Sequence, residues 1–195
     1  MMRVRYEKKA IRCFGVAESF RKGAMPFSIL AGVVMRADSI VDGFVLDKAT
    51  LGGDDATQSI LRMFISFRRK DINVIIVGGS IISLFNMVNI DHIHEVLGVP
   101  IISLTYHHSD GLEEHLKHHF PSEPSKIESY RKLGERIPII LCTGKSVYLR
   151  CAGIDLEDAK KVLNKFTVQG SIAEPIRVAR LIARAALNSF CFKST

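Results

Sequence analysis

The chain has 195 residues, 47% of them hydrophobic, which suits one domain spanning 1–195 with a core of its own; a globule of this size buries roughly 70% of its unfolded surface. With 27 lysines and arginines against 20 aspartates and glutamates it carries a formal charge of +7, a balance that favours polyanionic partners such as nucleic acid. No apolar run reaches the ~18–20 residues of a bilayer span, and the basic start MMRVRYEKKAIRCF lacks the apolar stretch of a secretory signal, so no membrane association and a cytoplasmic location are expected.

Period-2 and continuous apolar runs predict strands over 11–16, 27–35 and 40–48, the last two joined by the short polar turn Arg36-Ala37-Asp38-Ser39. A helix follows over 56–67, with Ile60, Leu61, Phe64 and Ile65 on one face, Asp55 as N-cap and Gln58 as capping-box partner. The short, fully apolar runs 73–77 and 101–106 read as buried parallel strands. Between them lies a helix over 90–97, capped by Asn89 and stopped by Gly98. The polar stretch 107–136, broken by Pro121 and Pro124, predicts one or two short helices. A hairpin over 137–142 and 146–150 comes next, then a helix capped by Asp155 and a last helix from Pro175 to about residue 190. The order is that of an α/β, ribonuclease H-like mixed sheet: three antiparallel strands, then parallel strands, with helices on both faces.

Cys13, Cys142, Cys151 and Cys191 form neither a CxxC pair nor a zinc-like spacing. In the expected hairpin Cys142 faces Ser146 and Cys151 falls opposite Ile137, out of register for a disulfide, so reduced buried thiols are expected.

The segment CAGIDLEDAKKVLNKFTVQGSIAEPIRVARLIARAA (151–186) and LGVPIISLTY (97–106) resemble endonuclease V. So do Gly98-Val99-Pro100, Gly153, Leu156-Glu157 with Ala159, and Glu174-Pro175 with Arg177 and Ala179. GGDDATQSILRMF (52–64) is similar to the archaeal branch of that superfamily, a domain of unknown function. The resemblance covers about residues 11–186. It implies a ribonuclease H-like fold, a DNA-repair context and two-metal phosphodiester cleavage with magnesium or manganese.

The resemblance also implies aspartates at the ends of the first strand and the central parallel strand, because hard divalent cations need carboxylates at fixed separation. This chain has Ala17 and Gly78 there. Three acids remain as candidate catalytic residues, Glu18, Asp55 and Asp155, with Glu18 and Asp55 as candidate metal ligands. Strand alternation turns Glu18 to the face opposite Ala17, and the two aspartates also suit plain helix caps. Thr50-Leu51-Gly52-Gly53 replaces the family's base-wedge motif.

For nucleic-acid contact the candidates are Gly78, Gly79 and Ser80, whose amides can hold a phosphate if a helix begins near Ser80, and Arg177, Arg180 and Arg184 on one stripe of the last helix. That stripe also fits a solvated helix face, and Arg62, Arg68, Arg69 and Lys70 supply further positive charge. The histidines His92, His94, His107, His108, His115, His118 and His119 cluster, yet His115, His118 and His119 sit among Glu113, Glu114 and Lys117 as on an exposed polar helix. Gly144-Lys145-Ser146 lacks the first glycine of a phosphate loop and precedes a strand. The leading reading is a nucleic-acid-binding protein on an endonuclease V-like scaffold without normal two-metal cleavage. The alternatives are a working endonuclease on uracil- or hypoxanthine-containing DNA or RNA, and a protein-interaction scaffold. The oligomeric state stays open, a homodimer among the options.

Overall fold

The computed structural model describes residues 10–109 and 111–191. The elements in chain order are β1 (Arg12–Ser19), β2 (Phe27–Arg36), β3 (Val41–Thr50), α1 (Ala56–Ser66), β4 (Val74–Val77), β5 (Ile81–Ile82), β6 (Asn86–Met87), α2 (Ile90–Leu97), β7 (Ile101–Thr105), α3 (Glu113–His119), α4 (Pro124–Lys132), β8 (Ile137–Ile140), β9 (Ser146–Ala152), α5 (Leu156–Phe166) and α6 (Glu174–Cys191). The expectation about a leader concerns residues 1–14, of which 1–9 lie outside the described residues, as does the Cys191 side chain.

Seven strands form one mixed sheet in the order β3-β2-β1-β4-β7-β9-β8. β1, β2 and β3 are antiparallel neighbours. β1, β4 and β7 run parallel, with Val16 beside Val77 and Val77 beside Ser103. The chain then reverses, so β9 lies antiparallel to β7 and β8 antiparallel to β9. This is the mixed α/β sheet that the order of hydrophobic patterns predicts.

Strand alternation divides the apolar residues between two cores. Cys13, Ala17, Ile76 and Leu104 face α5 and α6, meeting Val162, Phe166, Ile176 and Ala183. Phe14, Val16, Ile75 and Ile101 face α1 and α2, meeting Ile60, Met63, Phe64 and Ile93. A bare backbone at Gly15 brings α6 down onto β1, since a Cβ there would lie 2.4 Å from the Pro175 Cβ and 2.7 Å from its carbonyl carbon.

Several local expectations change. β8 stops at Ile140, and the turn from Leu141 to Lys145 closes with Leu141 N–H donating to the Lys145 carbonyl. Ile140 therefore faces Ser146 and Ile137 faces Leu149, two residues away from the expected register, and Cys142 is exposed on the turn rather than buried. At the start of α1 the Asp55 side chain makes no cap bond; Asn86 Oδ1 accepts from Ala56 N–H at 3.0 Å instead. No helix begins near Ser80, because the chain forms the small β5–β6 hairpin there. Asp155, by contrast, caps α5 as expected, accepting from Asp158 N–H at 2.8 Å.

At the far end of the sheet, Asp42 accepts from Arg12 Nε at 2.6 Å and from Arg69 at 3.2 Å, while Arg69 also grips Asp71 at 2.8 Å. The hydrogen bond from Arg69 holds the Asp71 carboxyl at about 2, below its ordinary 3.8, and the bond from Arg12 lowers Asp42 likewise. A carboxyl depressed in the folded state stabilises above its unfolded pKa, and that contribution disappears as pH falls through the folded value. Thermal stability should therefore drop between about pH 4 and pH 2, and the drop should be shallower in Asp42→Asn; identical acid profiles in circular dichroism melts would contradict this.

Candidate nucleic-acid cleft

In an open α/β sheet, ligands collect beyond the carboxyl ends of parallel strands. Here those ends are Ser19 on β1, Val77 on β4 and Thr105 on β7. A cleft of about 370 Å³ opens beside the last two, floored by Gly78, Ser80, Ile81 and Thr105. Arg180 of α6, Arg150 of β9 and Arg136 before β8 line it together with Tyr106, His107, His108 and Tyr130, and among the described residues no aspartate or glutamate lines it.

Each arginine arrives by a different route. Arg180 comes from the α6 side, its guanidinium 5.7 Å from the centre of the Tyr106 ring. Val147 and Leu149 on β9 turn into the α5–α6 core, so alternation puts Tyr148 and Arg150 on the other face. Arg150 Nε donates to the Gly134 carbonyl at 2.9 Å. Arg136 donates to the Ser109 carbonyl at 2.7 Å and lies over the Tyr148 ring, 5.8 Å from its centre. Burial, and after it the nearby Arg136 charge, lowers the Arg150 pKa, the mark of a cation set among cations. Burial also pushes the Tyr106 phenol up to about 12, against the charge and hydrogen bonding of the adjacent Arg180 guanidinium. The phenol therefore stays neutral near pH 7.

The remaining acids do not gather here. Glu18 is on the α1 side of β1, as alternation requires, and one of its oxygens accepts from both the N–H and the hydroxyl of Ser83 at 2.8 Å. Ser83, Leu84 and Phe85 all have positive φ, at 48°, 52° and 71°, a conformation uncommon outside glycine. Glu18 thus pins a strained tip that also receives the Gly52 N–H on the Ser83 carbonyl and a 2.5 Å contact between the Ser83 and Ser28 hydroxyls. Replacing Glu18 by Ala leaves the buried Ser83 N–H unpaired and should cost about 1–3 kcal/mol, with faster amide exchange over residues 83–87. Unchanged exchange there would show the clamp to be idle.

Asp55 accepts from Thr50 N–H at 3.0 Å, Thr50 hydroxyl at 2.8 Å and Asn86 at 2.6 Å. Burial raises its pKa, but these bonds outweigh it and leave the carboxyl below its ordinary value. Asp155 lies beyond the end of β9, and because Ala152 pairs with Ile101 at the start of β7, that is the sheet edge opposite Glu18. The structure does not bring these three acids into one site.

Gly78 and Ser80 do line the cleft, while the Ser80 hydroxyl is spent on Ser103 at 2.6 Å. Of the helical stripe only Arg180 reaches it; Arg177 is ion-paired to Glu174 and Arg184 is exposed. Arg62 and Arg69 are paired as well, to Asp47 and to Asp42 and Asp71. Magnesium or manganese at the strand ends would need carboxylates where Ala17 is packed in the core and Gly78 has no side chain. Among the described residues no three His, Cys, Asp or Glu side chains stand together as a metal-binding group, the histidines included. The residues present do not fit a two-metal centre. Sequence reading missed Arg136 and Arg150; the one signal for the latter was an arginine inside an otherwise alternating strand.

Comparison with known proteins places this geometry in context. A UPF0215 protein of Pyrobaculum calidifontis is 36% identical over 169 residues, covering 86% of this chain and 92% of the relative. One from Thermococcus kodakarensis is 30% identical over 195 residues, covering 95% and 96%. Among solved structures, a protein of unknown function from Archaeoglobus fulgidus superposes with a TM-score of 0.74 at 25% identity, over 91% of this chain and 98% of that one. Human endonuclease V superposes at 0.64 with 17% identity, over 95% and 87%. Endonuclease V of Ciona intestinalis, bound to a 24mer DNA containing an inosine followed by a ribo-adenosine, gives 0.63, also at 17% identity, over 93% and 87%. The last two share the fold with this chain. Residues 9–187 match the family described as Endonuclease dU, and the chain belongs to that family.

Proposed function

We propose that the protein binds nucleic acid in this cleft and lacks two-metal phosphodiester cleavage. One observation carries the reading: at the strand ends where metal-binding acids would gather, three guanidiniums line a cleft and, among the described residues, no carboxylate does. Arginine forks match phosphate oxygens in geometry and charge, and the net charge of +7 adds long-range attraction for a polyanion. The DNA held by the Ciona endonuclease V agrees with a nucleic-acid partner for this scaffold. No helix among the described residues is long and apolar enough to cross a membrane, and the cytoplasm is the compartment that suits such a partner.

The test is a gel-shift and cleavage panel of single-stranded, duplex, uracil-containing and hypoxanthine-containing DNA and the matching RNA. Binding that weakens steeply with salt, with every substrate left intact in magnesium or manganese, is the expected result. Absence of binding at low salt overturns the proposal. Cleavage abolished by Glu18→Gln or Asp55→Asn overturns its second half and restores the metal-dependent endonuclease.

A further inference from the structure

The cleft's shape and charge reach further than nucleic acid in general. Its volume of about 370 Å³ is near the lower end of the ~300–1,000 Å³ typical of small-ligand pockets, room for a nucleotide rather than a duplex. Leu112 and Tyr130 contribute to its lining from the α3–α4 segment. This segment is flanked by Gly111 and Gly134, both with positive φ. It is held to the body by Lys126, which donates to the Gly53 carbonyl at 3.2 Å and to Asp54 at 2.8 Å, and by the Phe120 ring against Phe85. Leu112 and Tyr130 wall the cleft on the α3–α4 side, and a strand end can enter without displacing them.

Charge gives the same answer. An internal phosphodiester carries one negative charge, while a phosphomonoester carries about −1.5 to −2 near neutral pH. Arg136 and Arg150 spend some of their N–H groups on the carbonyls of Ser109, His107 and Gly134. A guanidinium has five N–H donors, so most of the Arg150 donors stay available to an incoming anion, and the Arg180 guanidinium stands over Tyr106. Among the described lining residues three guanidiniums stand without an acid, more charge than a monoanion neutralises and suited to a dianion.

Resting on the nucleic-acid reading above, we propose that the cleft is a receptor for the terminal phosphomonoester of a nucleic-acid strand, with Arg136, Arg150 and Arg180 holding the phosphate and Tyr130 beside the last nucleotide. The carbonyls that now hold Arg136 and Arg150 bracket the α3–α4 segment, so an anion that draws those guanidiniums inward also acts on both ends of that segment.

One single-stranded DNA sequence in four forms decides this by fluorescence anisotropy: 5′-phosphorylated, 3′-phosphorylated, hydroxyl at both ends, and covalently closed as a circle. One phosphorylated form should bind about tenfold or more tighter than the hydroxyl-ended and circular forms, and which one it is identifies the strand end. Arg150→Gln should erase that preference while the melting temperature holds. Equal affinity for all four forms, or a preference that survives Arg150→Gln, overturns strand-end recognition and leaves the nucleic-acid reading standing. Failure of every form to bind removes that broader reading itself.

Discussion

Phe14→Ala should remove about 3–5 kcal/mol of unfolding free energy, the largest stability loss expected from any single truncation in this sheet. Phe14 is fully buried at the centre of the α1-side core. Its ring meets Phe64 at 5.6 Å and Phe67 at 5.7 Å between centroids, both edge-on, an arrangement that adds to simple area burial. The absence of a side chain at Gly32 is what admits the ring, since a Cβ there would lie 2.4 Å from it. No neighbour is poised to collapse into the space, because β1 is held on both sides by β2 and β4. Phe44 on β3 is the internal comparison: the same residue type in the same sheet, yet 59% exposed. Phe44→Ala should change stability by less than about 0.5 kcal/mol. Urea unfolding with an unchanged denaturant slope checks both, and a Phe14→Ala loss near 1 kcal/mol would show that the core repacks.

Arg150→Gln and Arg180→Gln should each weaken single-stranded DNA binding by about tenfold to a hundredfold, from the ~1.5–3 kcal/mol of a hydrogen bond to a charged group. The slope of log affinity against log salt should shrink by roughly 0.7 for each phosphate that is no longer neutralised. Arg62→Gln and Arg177→Gln serve as charge-matched controls: both remove one positive charge, but those residues are paired to Asp47 and Glu174 outside the cleft. Equal losses in all four variants would mean that net charge alone attracts the polyanion. Stability should move the other way at Arg150. Burial and the Arg136 charge both oppose its ionisation, so the neutral variant should melt at the same temperature or higher while binding less. A residue that is costly to the fold and needed by the ligand is how binding sites commonly depart from optimal stability.

The order of elements was readable because hydrophobic periodicity is local: 27–35 and 40–48 announce strands, and 56–67 an amphipathic helix, without reference to the rest of the chain. The β5–β6 hairpin was not readable. Its tip places Ser83, Leu84 and Phe85 at positive φ without a glycine to signal it, and what holds it there is Glu18, far away in sequence. Asp55 looked like a cap by position, but cap geometry depends on Asn86 and Thr50, which only the fold delivers.

By itself the sequence determined that Ala17 and Gly78 bring no side-chain oxygen to the positions where the resemblance implies acids, since that absence is a covalent fact that no packing can reverse. It also determined the strand pattern that pairs into a mixed sheet. Tertiary structure alone decided which charges share a cleft. It sent Asp155 to the opposite sheet edge by reversing β9 against β7, spent Glu18 on a strained turn, and gathered Arg136, Arg150 and Arg180 from three elements to the ends of β4 and β7. Electrostatics depends on distance in space, and distance in space is set by the sheet order, which is the one quantity a linear pattern does not contain.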